Sequence, residues 1–159
     1  MTRTVHEILG DDVIAAVRKP IGEARGLPAR AYTSDEFFRL EQEKYFPQTW
    51  MCAAFSWDIP NPGDAMPIIL AGLPLILVRD ASRKVRAYHN VCRHRGSRVV
   101  ASDRGHCRRA IVCPFHGWTY DLKGNLIAAR HMEDTSDFDP ATWSLPELKV
   151  EIWEGFIFI

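Results

Sequence analysis

At 159 residues, 47% apolar and 25% charged, the chain is of single-domain length and can bury a core without disulfide staples. Twenty basic residues balance twenty acidic ones, so bulk charge gives no reason to expect nucleic acid or an anionic membrane surface as partner. No apolar run approaches the roughly 18 residues of a membrane span, and the first six residues lack the apolar core of a signal peptide. A cytoplasmic protein is expected, in which four cysteines read better as metal ligands than as disulfides.

Val5, Ile8, Leu9, Val13, Ile14 and Val17 recur at helical spacing, which predicts an amphipathic helix over 5–18 that Pro20 ends. Gly26 and Pro28 mark a loop over 22–31. Thr33 and Glu36 fit a capping box, predicting a second helix that runs to about Phe46 and stops at Pro47. Beyond Pro47 short runs of Val, Ile, Phe and Trp alternate with Pro, Gly, Asn and Asp. They predict strands near 49–55, 66–70, 73–79, 84–90, 110–112, 118–121, 125–128, 148–153 and 155–159. Asp80–Arg83 and Lys123–Asn125 read as hairpin connections. Strands this short and close leave no room for helical crossovers, so the sheets are expected to be antiparallel. The organisation is a helical lead over 1–46 and an all-β domain over 47–159, with no repeat.

Charge is unevenly placed. Between Arg79 and Arg109 lie ten basic residues and only two acidic ones, a net of +8.

Two segments carry chemistry: Cys92-Arg93-His94-Arg95-Gly96 and Cys113-Pro114-Phe115-His116-Gly117. Each offers one thiolate and one imidazole, and each ends in a glycine that permits a tight turn. The candidate metal ligands are Cys92, His94, Cys113 and His116. Structural zinc accepts two Cys and two His, but its ligands come as like pairs, whereas here each loop mixes them. A 2Fe–2S cluster with Cys on one iron and His on the other suits mixed loops, since each can send one ligand to each iron. The bland reading is four core residues that merely fall this way. Cys52, in an apolar strand, reads as a small core residue. Cys107, beside His106, reads as a thiol with no ligand role. His6, His89, His106 and His131 read as ordinary, and His131–Asp134 as a solvated turn.

Cys92-x-His94, an 18-residue gap and Cys113-Pro114-x-His116-Gly117-Trp118 together resemble the N-terminal Rieske domain of the large subunit of ring-hydroxylating and related oxygenases. Flanking Asn90-Val91 and Thr119-Tyr120, and Glu154–Phe158 near the end, agree. The resemblance runs from about Tyr32 to Ile159. It implies a Rieske-type antiparallel β-sandwich that passes single electrons from a ferredoxin or flavin reductase to a mononuclear iron. That iron belongs to a second domain, held there by two His and one carboxylate. No window of this chain matches that ligand spacing, so the chain is expected to be the Rieske part of a longer protein or a truncated product. The resemblance also implies a trimer-type homo-oligomer, with His116 facing a neighbouring subunit through a bridging Asp. The substrate would be an aromatic ring or a quaternary amine. A stand-alone Rieske ferredoxin is the alternative, and a zinc-stabilised interaction module a further one. The extra loop cysteines of the Rieske proteins of cytochrome bc complexes correspond to Ser97 and Phe115, so no bridge can form between the loops. Trp118 stands where those proteins have a serine that donates to the cluster. Fewer donors to the sulfurs lower the potential, to about −150 to 0 mV. The basic run would then stabilise the added electron and favour an acidic donor, or would pair with carboxylates elsewhere in the assembly.

Overall fold

The computed structural model describes residues 3–101, 105–132 and 134–159. They form two compact units, Met1–Thr49 and Trp50–Ile159.

The first unit is helical: α1 (Val5–Leu9), α2 (Asp11–Val17), α3 (Arg30–Thr33) and α4 (Asp35–Lys44), then a 3-10 turn at Phe46–Gln48. The single helix expected over 5–18 is two. Gly10 takes φ +85°, and a Cβ there would lie 2.8 Å from Asp12 Oδ1. The Arg30 guanidinium donates to the Leu9 carbonyl beside this break. Thr4 and Glu7 form the capping box of α1. The box expected at Thr33 and Glu36 is displaced by one residue. Thr33 still lies inside α3, where its hydroxyl donates to the Ala29 carbonyl, and Ser34 accepts from Phe37 N to cap α4. Leu9, Ala31 and Phe37 make a small core.

The second unit holds eleven strands among the described residues: β1 (Cys52–Phe55), β2 (Asp64–Leu70), β3 (Leu73–Arg79), β4 (Val85–His89), β5 (Gly105–His106), β6 (Ala110–Val112), β7 (Thr119–Asp121), β8 (Leu126–Ala128), β9 (Glu147–Leu148), β10 (Glu151–Trp153) and β11 (Phe156–Phe158). They build a five-stranded sheet, β5-β2-β3-β4-β9, and two three-stranded sheets, β1-β11-β10 and β6-β7-β8. Every pairing is antiparallel. The expected strand over 148–153 is broken in two, because the chain changes sheets there. β9 pairs with β4, and β10 pairs with β11.

Strand β3 shows how the layers are held. Ile76 and Val78 face one core with Ile111, Tyr120 and Leu126 of the β6-β7-β8 sheet. Leu77, between them, faces a second core with Ile157 of β11. The period of two thus buries both faces of the five-stranded sheet, and each fully buried aliphatic side chain contributes about 1.5–3 kcal/mol.

Both expected hairpins are present. At the first, buried Asp80 accepts from Ser82 N, Ser82 Oγ, Lys84 N and Arg86 Nε. At the second, Gly124 packs so closely that a Cβ would lie 2.6 Å from Tyr88 Cε1. Among the described residues no helix is long and apolar enough to cross a membrane.

Candidate metal centre

The first candidate loop follows β4; the second joins β6 to β7. Their backbones are twins. Cys92 N donates to Ser97 O and Gly96 N to Cys92 O; Cys113 N donates to Trp118 O and Gly117 N to Cys113 O. Both glycines take φ +72°, a conformation that side-chain-bearing residues rarely adopt. The same turn therefore presents its cysteine at the same place twice. Histidine comes second after Cys92 and third after Cys113, so the two imidazoles leave the twin turns at different points.

Asn90 anchors the first loop from within the core. Its side chain accepts from Val99 N and Val100 N and donates to Val100 O, closing the chain around the loop. β6 and β7 carry the second loop, with Val112 opposite Thr119 at its base.

The loops bring all four candidate side chains together. Cys92 and Cys113 are buried, reduced and adjacent. The His94 and His116 rings lie edge to face, 4.7 Å apart. Burial, with Cys113 beside it, pushes the Cys92 thiol up, against the opposing pull of the Tyr120 hydroxyl and the His94 backbone. Burial and the neighbouring His116, Arg95 and His131 push His94 down, which favours the neutral imidazole that binds metal.

Two thiols and two imidazoles are the donor set of a two-iron, two-sulfide centre. Each loop supplies one thiol and one imidazole, so each could send one ligand to each iron of such a centre.

Tyr120 supplies what the loops lack. Its fully buried hydroxyl accepts from Arg93 N at 3.1 Å and lies 3.4 Å from Cys92 Sγ. Either the phenol or the thiol can donate in that contact; toward a thiolate only the phenol could. Burial and the nearby cysteines push the phenol upward, so it stays protonated. Trp118 is buried, and among the described residues its indole N–H has no partner. Neither Asn90 nor Tyr120 was assigned a role from sequence. An amide two residues before Cys92 and a phenol three residues after Gly117 are the sequence signals that point to them. Beside the second loop lies an open hollow of about 720 Å³, lined by Val112, Phe115, His116, Thr119, Arg130 and His131.

Other residues resolve simply. Cys52 is exposed on β1, not the core residue its apolar neighbours suggested, because β1 is an edge strand and Cys52 lies on the face of Phe158 and Glu151. Cys107 is half-buried against the main core, which raises its thiol. His106 pairs with Asp64. Of the turn over 131–134, Glu133 lies outside the described residues. The basic run divides. Arg79 is buried and donates to the Ile59, Ser56 and Arg83 carbonyls. Arg86 bridges Asp80 and Glu147. Arg93, Arg95 and Arg98 are exposed on the first candidate loop, whereas Arg108 and Arg109 lie at the end of β6 away from Cys113. Arg104 lies outside the described residues.

A family model described as the Rieske [2Fe-2S] domain matches residues 49–146. The carnitine monooxygenase oxygenase subunit of Escherichia coli (strain K12) is 36% identical over 137 residues, covering 86% of this chain and 36% of that protein. The benzene 1,2-dioxygenase subunit alpha of Pseudomonas putida is 34% identical, covering 86% of this chain and 30% of that protein. A crystal structure of the apo form of a quaternary ammonium Rieske monooxygenase superposes with a TM-score of 0.76 at 35% identity, covering 85% of this chain and 39% of that one. The chain thus spans about a third of the length of the curated relatives it matches.

Proposed function

The chain belongs to the Rieske [2Fe-2S] domain family, and from that premise we propose that Cys92, His94, Cys113 and His116 hold the cluster as the electron-transfer centre of an oxygenase subunit. One observation carries the ligand assignment: the twin turns, each closed by the same two hydrogen bonds and a +72° glycine, set two buried thiols and two imidazoles against one another.

The cluster supplies one-electron storage and release. The protein does the rest. Cys92 and Cys113 are buried in the main core. With Cys92 as a thiolate ligand, the Tyr120 hydroxyl 3.4 Å away is the donor to its sulfur. His116, on the hollow, keeps one ring nitrogen available for a carboxylate of a partner. Arg93 and Arg95 add positive charge beside the centre, which favours an acidic ferredoxin or flavin reductase as donor. A domain boundary near residue 47 separates the helical lead from the Rieske domain in this reading.

The whole protein, on this reading, is a homo-oligomer whose further domain holds a mononuclear iron and oxygenates a small organic substrate in the cytoplasm. The matched relatives are oxygenase subunits, which favours this over a stand-alone carrier; their names span carnitine and benzene. Iron, acid-labile sulfide and the EPR spectrum of the dithionite-reduced protein test the centre. About two irons and two sulfides per chain are expected. Cys92→Ala and Cys113→Ala should lose them, and Cys52→Ala and Cys107→Ala should keep them. A colourless protein binding zinc would overturn the proposal.

A further inference from the structure

We propose that Trp118 is a positioning residue, whose buried indole sets the plane of the His94 imidazole and makes the two candidate histidines unequal. The inference rests on the reading that His94 is a cluster ligand.

A histidine's terminal torsion has no sharp intrinsic preference, so its ring plane must be set from outside. The usual device is a hydrogen bond to the ring nitrogen that does not bind metal. Among the described residues nothing hydrogen-bonds the ring of His94. What it has is a stack: the Trp118 indole lies face to face with it, centroids 4.9 Å apart and planes within 7°. Rotating the imidazole would drive its edge into the indole.

The indole cannot yield, because it is 1% exposed and held on other sides. Phe138 meets it at 5.8 Å and 65°, Trp143 at 5.7 Å and 77°, and these two rings touch one another. Trp143 also carries the Arg93 guanidinium over its face, 5.7 Å from the centroid. Two consecutive residues of the first loop, Arg93 and His94, are thus each gripped by a ring from another segment. Among the described residues the Trp118 N–H has no acceptor, and what the indole offers His94 is its flat face.

His116 lacks this grip. Among the described residues its ring contacts are His94, edge-on, and Phe115, which is 61% exposed. One imidazole is clamped from within the fold, while the other is left to be oriented by whatever docks on the hollow.

The test compares Trp118→Phe, which keeps a flat ring, with Trp118→Leu, which keeps apolar bulk alone, in the full chain. Iron and sulfide content of the parent is measured first; their absence there refutes the cluster reading itself. Given a loaded parent, Trp118→Phe should retain the parent EPR g values and the parent rate of iron loss to a chelator. Trp118→Leu should show shifted, broadened g values and lose iron about tenfold faster. A Trp118→Leu spectrum and lifetime equal to the parent's would overturn the proposal. So would a Trp118→Phe variant as defective as Trp118→Leu, which would assign the effect to volume or to the N–H. Should Trp118→Leu fail to fold, Phe138→Leu loosens the indole from the far side and is expected to broaden the spectrum in the same sense. An unchanged Phe138→Leu spectrum would then refute the clamp.

Discussion

Replacing Tyr120 by phenylalanine removes one oxygen from a fully buried ring and nothing else. The hydroxyl lies 3.4 Å from Cys92 Sγ and takes the Arg93 N–H at 3.1 Å, so two consequences follow. A hydrogen bond to a charged acceptor contributes about 1.5–3 kcal/mol. Reduction adds negative charge that the thiolate sulfurs share, so the bond strengthens in the reduced state. Taking about 1 kcal/mol as dependent on oxidation state, and about 59 mV per tenfold change in a one-electron equilibrium, the potential should fall by about 40 mV. The Arg93 N–H, left without an acceptor, should cost a further 1–3 kcal/mol or so in stability. Spectroelectrochemical titration reads the first and urea unfolding the second. Tyr88→Phe is the control. That ring is equally buried, and its hydroxyl donates to the Leu122 carbonyl at 3.2 Å, not to a cysteine. It should lose stability and keep the potential. An unchanged potential in Tyr120→Phe, or an equal fall in Tyr88→Phe, would refute the reasoning.

Asp80→Asn should cost about 3 kcal/mol in urea unfolding at pH 7, since it breaks a buried ion pair. Burial alone would raise the Asp80 carboxyl, but its hydrogen bonds from Arg86, Ser82 and Lys84 N outweigh that and hold it below the usual range. The wild-type advantage is therefore full above about pH 4 and fades as pH falls through the lower folded value; unfolding curves from pH 6 downward check it. Gly124→Ala forces a Cβ to within 2.6 Å of Tyr88 at φ +83° and should lower stability by about 2 kcal/mol or more, read as a drop in Tm. Arg93→Gln with Arg95→Gln should slow reduction by an acidic donor more at low salt than at high salt in stopped-flow traces. His116→Cys should keep a cluster of lower potential and, if the whole protein is the oxygenase proposed above, abolish transfer to its mononuclear iron, as electrochemistry and single-turnover kinetics would show.

Much of the molecule was legible in the chain because the signals are local. The short apolar run Leu75–Val78 predicts a strand, and Asp80–Arg83 and Lys123–Asn125 predict its kind of connection, before any packing is known. The paired Cys–His loops point to a metal centre from sequence alone, since few residue sets offer two thiolates and two imidazoles beside turn glycines. Other errors were equally local in cause. The helix over 5–18 failed at Gly10, where a residue without a side chain let the chain take φ +85°. The capping box failed because Thr33 was already engaged by the preceding helix.

What the sequence alone determined, then, is the β architecture and the set of candidate donors it carries, both written in neighbours along the chain. Only the tertiary structure decided which residues serve those donors. Tyr120 is 28 positions from Cys92, and Trp118 is 24 from His94. Asn90 closes its loop by reaching Val99 and Val100. A hydrogen bond or a ring stack depends on separation in space, and antiparallel pairing and burial set that separation.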